Sequence, residues 1–214
     1  MKIMIIGPQG SGKGTYASRL STVMKIPHIS TGQIFRDSIT QKTDLGKKVE
    51  KFLSAGILVP DEITMETVKH RIGEPDCKKG FIFDGFPRTL KQAEELNRIS
   101  PLDVVLYLNV PEWILLKRLS SRVTCRKCGK IYNLLNFKPK KEGVCDECKG
   151  ELIVREDETP EAIKMRLKEY EKNTKPLVDY YNKKGVLKTF KCESFDTTPE
   201  EAVAKILEIL GVKK

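Results

Sequence analysis

The stretch Gly7-Pro8-Gln9-Gly10-Ser11-Gly12-Lys13-Gly14-Thr15 decides the fold of this chain. It follows an apolar run, residues 3–6, that predicts a buried strand, and it leads into residues 13–24, whose spacing predicts a helix. Glycines at such a junction let successive backbone N–H groups turn inward toward an anion. The helix N-terminus adds partial positive charge, and Lys13 can reach the outer phosphates of a nucleotide. We therefore predict a phosphate-binding loop; the alternative is a glycine-rich turn beside a surface lysine.

One residue of this loop departs from the general phosphate-loop pattern. That pattern has Ser or Thr directly after the lysine, where the hydroxyl binds Mg²⁺. This chain has Gly14 at that position and Thr15 one residue later. We therefore expect another residue to orient the metal.

Composition narrows the class of protein. The chain has 214 residues, of which 39% are hydrophobic and 32% charged, as in a globular protein with a substantial core. The net charge of +10 favours polyanionic partners such as nucleotides, nucleic acids or anionic membranes. No apolar run approaches the roughly 20 residues that span a bilayer, and the N-terminus lacks a signal-peptide pattern. We expect a cytoplasmic protein.

Strand-like and helix-like segments alternate along the chain. The expected strands are residues 3–6, 81–83, 104–108 and 186–190, and the expected helices are residues 13–24, 90–99, 112–121 and a last one from Pro199. This alternation predicts an α/β fold with a central parallel sheet flanked by helices. Residues 30–59 and 122–157 interrupt the rhythm and are predicted to be insertions. Another helix is expected after Thr159-Pro160, kinked or divided near Pro176.

A second motif, Phe81-Ile82-Phe83-Asp84-Gly85-Phe86-Pro87-Arg88, ends an apolar strand with a carboxylate. Ligands of parallel α/β sheets bind at the carboxyl edge, so Asp84 is predicted to hold Mg²⁺ there, directly or through water. Gly85 leaves room for a substrate, and Arg88 offers a forked donor to phosphate. The alternative is an aspartate that only caps the following turn.

Four of the six cysteines form two pairs, Cys125-x2-Cys128 and Cys145-x2-Cys148. Two such knuckles supply four thiolates to one ion, so we predict a closed, structural zinc site, with Gly129 and Gly143 easing the turns. Two disulfides are the alternative in an oxidising compartment. Cys77 and Cys192 are expected to be ordinary, partly buried thiols.

These motifs and several others occur together in one known family. The chain resembles, nearly end to end, the adenylate kinases of the long form whose lid carries zinc. The matching segments are Gly12-Lys13-Gly14-Thr15, Ser30-Thr31-Gly32 with Arg36, Gly56-x-Leu58-Val59-Pro60-Asp61, Asp84-Gly85-Phe86-Pro87-Arg88-Thr89 with Gln92, Arg118-Leu119-x-x-Arg122, the four cysteines, and Arg155-x-Asp157 with Arg166. In this family glycine follows the phosphate-loop lysine, which accounts for Gly14.

The resemblance implies a fold of three layers with a core at residues 1–29, 60–121 and 158–214. It also implies a nucleoside-monophosphate-binding insertion at residues 30–59 and a zinc-binding lid at residues 122–157. The ATP phosphates would be held by Gly10, Ser11, Gly12, Lys13, Gly14 and Thr15. AMP would be bound by Thr31, Arg36, Val59, Gly85, Arg88 and Gln92. The transferred phosphoryl group would be met by Arg118, Arg122, Arg155 and Arg166, with Mg²⁺ accompanying ATP and Zn²⁺ structural in the lid.

Two positions depart from the family pattern. Gln33 stands where an acid commonly follows Ser-Thr-Gly, so we expect weaker ionic contacts across the closed site. Asp157 is followed by Glu158 where a second aspartate is frequent, a change that keeps the charge.

Two alternative functions remain open from the sequence. One is a related kinase whose acceptor is UMP, CMP or GMP. The other is a phosphate-loop ATPase whose zinc ribbon binds nucleic acid, for which Tyr132 and Phe137 are the available stacking residues between the knuckles. The favoured hypothesis is an ATP:AMP phosphotransferase with ATP and AMP as partners, no nucleic acid, no membrane, and a monomeric state by analogy.

Overall fold

The computed structural model describes residues 1–155 and 159–212. The strands, in chain order, are β1 (Lys2–Ile6), β2 (His28–Ser30), β3 (Phe81–Asp84), β4 (Val104–Asn109), β5 (Arg122–Cys125), β6 (Ile131–Asn133), β7 (Leu152–Ile153) and β8 (Leu187–Lys191). The α-helices are α1 (Lys13–Met24), α2 (Thr31–Thr40), α3 (Asp44–Ser54), α4 (Asp61–Ile72), α5 (Leu90–Ile99), α6 (Glu112–Leu119), α7 (Pro160–Glu169), α8 (Pro176–Lys183) and α9 (Pro199–Leu210).

A parallel sheet in the order β2-β3-β1-β4-β8 forms the centre of the molecule. Ile3 and Ile5 of β1 belong to a buried cluster with residues of α1, α6 and α9. Met4 and Ile6 point the other way, into a cluster with residues of α4, α5 and α8. All four side chains are at most 1% exposed, because successive residues of a strand face opposite sides and helices cover both. The predicted α/β fold with three layers is confirmed.

The register of the sheet brings the predicted motifs to one edge. Ile5 of β1 lies opposite Asp84, and Ser30 at the end of β2 lies opposite the same Asp84. The glycine loop begins directly after β1. Because parallel strands end at the same edge, the loop, Asp84 and the start of α2 face one space.

Both interrupting segments have small cores of their own. Phe35, Val49 and Val59 form a cluster that joins α2 to α3 and to the turn before α4. The second segment contains an antiparallel sheet in the order β6-β5-β7, and Cys125 of β5 and Tyr132 of β6 form a buried cluster with Cys145.

Several predicted elements have the expected bounds. Helices α1 and α5 begin and end as predicted, whereas α6 ends two residues earlier and β8 lies one residue later than expected. The helix expected after Thr159-Pro160 is divided before Pro176 by a π-helical turn, Tyr170–Thr174. In this turn the N–H of Lys175 bonds to the carbonyl of Tyr170 at 2.8 Å.

The sequence patterns missed the three short strands of the second insertion, β5 to β7, and two elements of the core. Strand β2 has three residues and buries only Ile29 completely, so it carries too little apolar pattern to be recognised. Helix α4 buries Thr64 together with Met65 and Val68, and the polar member weakens the helical periodicity.

Candidate active site

The glycine loop connects β1 to α1 and places unusual backbone at the edge of the sheet. Gly10 and Gly12 have φ angles of 83° and 96°, a left-handed region that glycine adopts without steric strain. The Ser11 hydroxyl is buried and has no hydrogen-bond partner among the described residues. Buried hydroxyls are normally paired, so this one suits a loop that receives ligand oxygens.

Lys13 lies at the start of α1 with its amine folded into the loop. Its Nζ donates to the carbonyl oxygens of Gly7 and Pro8, each at 2.8 Å. Its pKa is lowered to about 8, mainly by burial; the charge of Asp84 opposes this shift, and the charges of Arg88 and Arg122 add to it. A phosphate in the loop would supply the negative charge that this desolvated amine lacks.

The structure gives a physical reason for Gly14. A Cβ on Gly14 would lie 3.2 Å from Oδ2 of Asp84 and 3.4 Å from the terminal methyl of Ile131 in the second insertion. A serine or threonine here would push Asp84 away from the loop. The glycine therefore permits the Asp84 carboxylate to approach the N-terminus of α1, so the glycine after Lys13 and the carboxylate beside the loop belong to one arrangement.

Asp84 also has a partner that the sequence did not reveal. His28, in the neighbouring strand β2, lies with Nε2 3.4 Å from Oδ2 of Asp84. Burial by itself would raise the pKa of Asp84, but His28, Lys13 and Arg88 together hold that pKa below its usual range. The carboxylate is therefore charged and suited to a cation or its water ligands.

Arg88 is held in place by its own turn. Its Nε donates to the carbonyl of Gly85 at 2.8 Å, and its backbone N–H donates to Oε1 of Gln92 at 2.7 Å. Gln92 in turn donates from Nε2 to Asp61 at 2.7 Å, and the hydroxyl of Thr31 donates to the carbonyl of Gly85 at 3.0 Å. Burial lowers the pKa of Arg88, with Arg166 and Arg36 acting in the same direction and Asp84 against them. This cluster of cations favours an anionic ligand.

Gln9 joins two of the predicted arginines. With its amide oriented to satisfy both donors, its oxygen accepts from Nη2 of Arg122 at 3.1 Å and from Nη1 of Arg166 at 3.3 Å. Arg155 donates from Nε to the hydroxyl of Thr124 in β5 at 3.0 Å. Arg118 donates to the carbonyl of Ser11 at 3.4 Å, so its guanidinium contacts the glycine loop.

The two insertions meet near Gln33. Its amide oxygen accepts from Nη2 of Arg36 at 3.0 Å, and its Nε2 donates to Asp37 at 2.8 Å. The same oxygen lies 3.4 Å from the position that a Cβ would take on Gly129 in the second insertion. Gln33 thus orients Arg36 with a neutral contact. The other departure from the family pattern, at Asp157 and Glu158, lies outside the described residues.

These residues surround one cleft of about 900 Å³. That volume is at the upper end of the range of about 300–1,000 Å³ typical of ligand pockets. Of the predicted nucleotide-site residues, those that line it are Gly10, Gly12, Lys13, Gly14, Thr15, Thr31, Arg36, Val59, Asp84, Gly85, Arg88, Gln92, Arg118, Arg122, Arg155 and Arg166. Ser11 lies beneath them, fully buried.

The four predicted metal ligands come together in the second insertion. The Sγ atoms of Cys125, Cys128, Cys145 and Cys148 all lie within 4.8 Å of one another. The separations are 3.3 Å between Cys125 and Cys148 and 3.6 Å between Cys128 and Cys145. Four thiolates on a tetrahedral Zn²⁺, at about 2.3 Å each, would be roughly 3.8 Å apart, so the donor set fits that ion.

The two knuckles have the same backbone hydrogen bonds. The N–H of Gly129 bonds to the carbonyl of Cys125 at 2.9 Å, and the N–H of Lys149 bonds to that of Cys145 at 3.0 Å. Gly129 and Lys149 both have positive φ, 72° and 59°. The turn of the second knuckle therefore depends on Lys149, not on Gly143 as expected; Gly143 precedes the knuckle. A Cβ on Gly150 would come within 3.0 Å of Cys125 Sγ, so that glycine gives the sulfurs room.

Comparison with known proteins places this geometry in a family. The family model described as "Adenylate kinase" matches residues 5–186. The chain belongs to the adenylate kinase family. A protein of Thermotoga petrophila named adenylate kinase is 45% identical over 98% of this chain and 96% of its own length. Those of Clostridium tetani, at 46% over 99% of both chains, and Thermosipho melanesiensis, at 49% over 88% and 91%, bear the same name.

Two features bear on the alternative of nucleic-acid binding by this adenylate kinase family member. Tyr132 is completely buried, its hydroxyl accepting from the N–H of Asp146 at 2.8 Å. Phe137 is stacked on Tyr132, with ring centroids 5.5 Å apart and planes at 10°. The two candidate stacking residues are therefore used within the protein.

Along residues 1–155 and 159–212, no helix combines the length and the apolar content needed to cross a membrane.

Sequence reasoning did not single out His28, Gln9 or Asp61. Each acts through a partner far away in sequence: His28 through Asp84, Gln9 through two arginines, and Asp61 through Gln92. A usable signal existed for two of them: Asp61 ends one of the matching segments, and Gln9 is a polar side chain inside a glycine loop, which faces the same space as the loop.

Proposed function

We propose that this adenylate kinase family member transfers the terminal phosphoryl group of ATP to AMP and gives two ADP. The observation that carries the proposal is one cleft in which the glycine loop, the half-buried Lys13 and the six arginines predicted from the sequence face the same space. ATP and AMP together bring about six negative charges, which such a cleft offsets.

The glycine loop and Arg118 would hold the donor phosphates, because the loop supplies backbone N–H groups and Arg118 contacts its carbonyl at Ser11. Arg36, Arg88 and the turn at Gly85 would hold the acceptor phosphate on the other side of Asp84. Thr31, Val59 and Gln92 line the same end and would border the acceptor base and ribose. Arg122, Arg155 and Arg166 would meet the group in transit.

The chemistry then needs no covalent intermediate and no general base, because the AMP phosphate is already an anionic nucleophile. Phosphoryl transfer spreads charge over three equatorial oxygens, so positioning and electrostatic stabilisation account for catalysis. Arg122 and Arg166, brought together by Gln9, are suited to that spread charge. Lys13 stabilises the outer phosphates of the donor.

Mg²⁺ bound with ATP would neutralise phosphate charge and keep the reacting oxygens in line. Asp84 is the residue placed to hold it, since Gly14 lets the carboxylate reach the loop and nearby cations keep it ionised.

We further propose three domains, with residues 30–59 as the acceptor-binding insertion and 122–157 as a lid over the core. The four-cysteine cluster of the lid would hold Zn²⁺ with a purely structural role, because thiolates occupy all four positions of a tetrahedron. A stiffened flap carrying Arg122 and Arg155 can close as one body and exclude the water that would compete with AMP.

An acceptor panel tests this function. With ATP as donor, we expect kcat/KM for ADP formation with AMP to exceed that with GMP, CMP or UMP by about a hundredfold or more, since a site that hydrogen-bonds one base rejects the others strongly. A pyrimidine nucleotide or GMP reacting as well as AMP would contradict the adenylate assignment. ATP hydrolysis stimulated by DNA or RNA, without AMP-dependent ADP formation, would favour the nucleic-acid alternative.

A pH dependence follows from Lys13. Because its pKa in the free protein is about 8 and phosphates would raise it, ATP binding should take up a proton above pH 8. With respect to this group, we expect ATP affinity to be nearly constant below about pH 7, to fall by about half near pH 8, and then to fall by up to about tenfold per pH unit. Calorimetric titrations in buffers of different ionisation enthalpy measure the uptake. Lys13→Met should abolish it; no uptake at pH 9 in the wild type would refute the idea.

We further propose that the protein is cytoplasmic and acts as a monomer on ATP and AMP. We propose that it binds neither nucleic acid nor a membrane. A reducing compartment keeps four neighbouring thiols available to a metal. Light scattering at micromolar concentration tests the monomeric state.

A further inference from the structure

Arg19 connects the core to the second insertion. It projects from α1, and its Nε and Nη2 both donate to Oε1 of Glu200, at 3.2 and 3.0 Å. Its guanidinium carbon lies 5.1 Å from the centre of the Phe137 ring. Glu200 belongs to the first turn of α9, so one side chain links two core helices to the lid.

Phe137 continues this path into the lid. Its ring receives the Arg19 guanidinium and is also stacked on Tyr132. The hydroxyl of Tyr132 lies 3.5 Å from Sγ of Cys145. The chain of contacts Glu200, Arg19, Phe137, Tyr132 and Cys145 therefore runs without a gap from α9 to the cysteine cluster.

The location of this path suggests which substrate it serves. Arg19, Asn136, Phe137 and Glu200 line the cleft on the side of α1, beyond the glycine loop. Asn136 adds a parallel tie by donating to the carbonyl of Phe195 at 2.7 Å. The acceptor residues around Arg88 lie on the opposite side of β1, along β3 and β2. A substitution of Arg19 should therefore affect the binding of ATP at the donor end of the cleft.

We propose that Glu200, Arg19 and Phe137 form a clasp that holds the lid against the core at the donor end of the cleft, and that Arg19 and Phe137 are positioning residues for ATP. The inference rests on the proposed phosphotransfer function. Arginine suits this role because a planar guanidinium can stack on a ring while its edge donates to a carboxylate. Apparent ATP affinity is reduced by the fraction of protein whose lid is open, so loosening the clasp weakens ATP binding.

Steady-state kinetics of Arg19→Met and Phe137→Leu test the clasp. Met keeps the aliphatic stem of Arg19 without the charge, and Leu keeps apolar bulk without the ring. We expect each variant to raise KM for ATP three- to tenfold, with kcat and KM for AMP within twofold of wild type. The double variant should have the same KM for ATP as each single variant, because either single substitution already removes the contact between Arg19 and Phe137. Phe137→Tyr retains the ring and should restore the wild-type KM for ATP.

The controls separate this proposal from others. Arg98→Met, on the exposed face of α5, should leave both KM values unchanged. Equal rises in both KM values, an additive double variant, or an unchanged KM for ATP would overturn the clasp. If Arg19→Met unfolds, Glu200→Gln and the comparison of Phe137→Leu with Phe137→Tyr decide the matter. Absence of AMP-dependent ADP formation in the wild type would instead refute the proposed function.

Discussion

Replacing Lys13 by methionine is expected to lower kcat for ADP formation by about two to three orders of magnitude. Removing one preorganised donor from a water-excluded site typically has an effect of this size, because the charge that the donor would have stabilised must then develop without it. Lys13 is also the amine whose pKa is lowered by burial, so it stands ready for a phosphate partner. Methionine preserves the unbranched stem of the side chain as far as Cε and removes the ammonium group with its two hydrogen bonds.

The fold should survive this change. Burying the amine in the free protein is unfavourable, so Lys13→Met is expected to leave the melting temperature unchanged or slightly higher. Initial-rate kinetics with saturating ATP and AMP, together with thermal unfolding, measure both quantities. Lys205→Met, exposed on α9, is the matched control and should behave as wild type. Near-normal turnover of Lys13→Met would show that the lysine has no phosphate role.

Cys125→Ser is expected to have the largest effect on stability. Cys125 is 1% exposed, belongs to β5 and contributes one of four clustered thiols. The lid has a small core of its own, whereas a structural zinc site contributes on the order of 10 kcal/mol to a small folded unit. We expect metal content to fall from about one ion per chain to near zero, since serine is a poor ligand for Zn²⁺.

The lid should then unfold several degrees before the core, which lacks the cysteine cluster. Since Arg122 begins β5 and Arg155 is bonded to Thr124 of the same strand, kcat/KM should fall at least tenfold. Elemental analysis, calorimetric melting and kinetics test these outcomes. Cys77→Ser replaces a buried thiol outside the lid. This variant should retain its metal, and both insertions should remain folded. An unchanged melting profile with full metal content would refute the structural role.

Much of the fold and the site was accessible from short motifs. The bounds of α1 follow from the glycine loop and the helical spacing after it, and the position of Asp84 follows from the apolar strand that it ends. The cysteine spacing defines a donor set without any knowledge of the rest of the chain. In each case the physical requirement is local: a turn that needs glycine, a strand that ends at a sheet edge, or two thiols on one tight turn.

Long-range partners could not be read in this way. His28 lies 56 residues from Asp84, and β2, which carries it, is too short to leave a pattern. The orientation of Arg122 and Arg166 depends on Gln9, and the left-handed turn of the second knuckle depends on Lys149, where the sequence favoured Gly143. Whether Phe137 faces a ligand or the protein is likewise a question of packing.

The order of residues therefore determined the loop, the strand ends and the metal donors, because each rests on a local pattern: a glycine turn, an apolar strand or a pair of cysteines on one tight turn. Only the tertiary structure decided why Gly14 follows Lys13: a side chain there would press on Asp84, brought alongside by the pairing of β1 with β3. It also decided that Arg19 of the core meets Phe137 of the lid. Contacts of this kind depend on how distant segments pack, and no local periodicity records them.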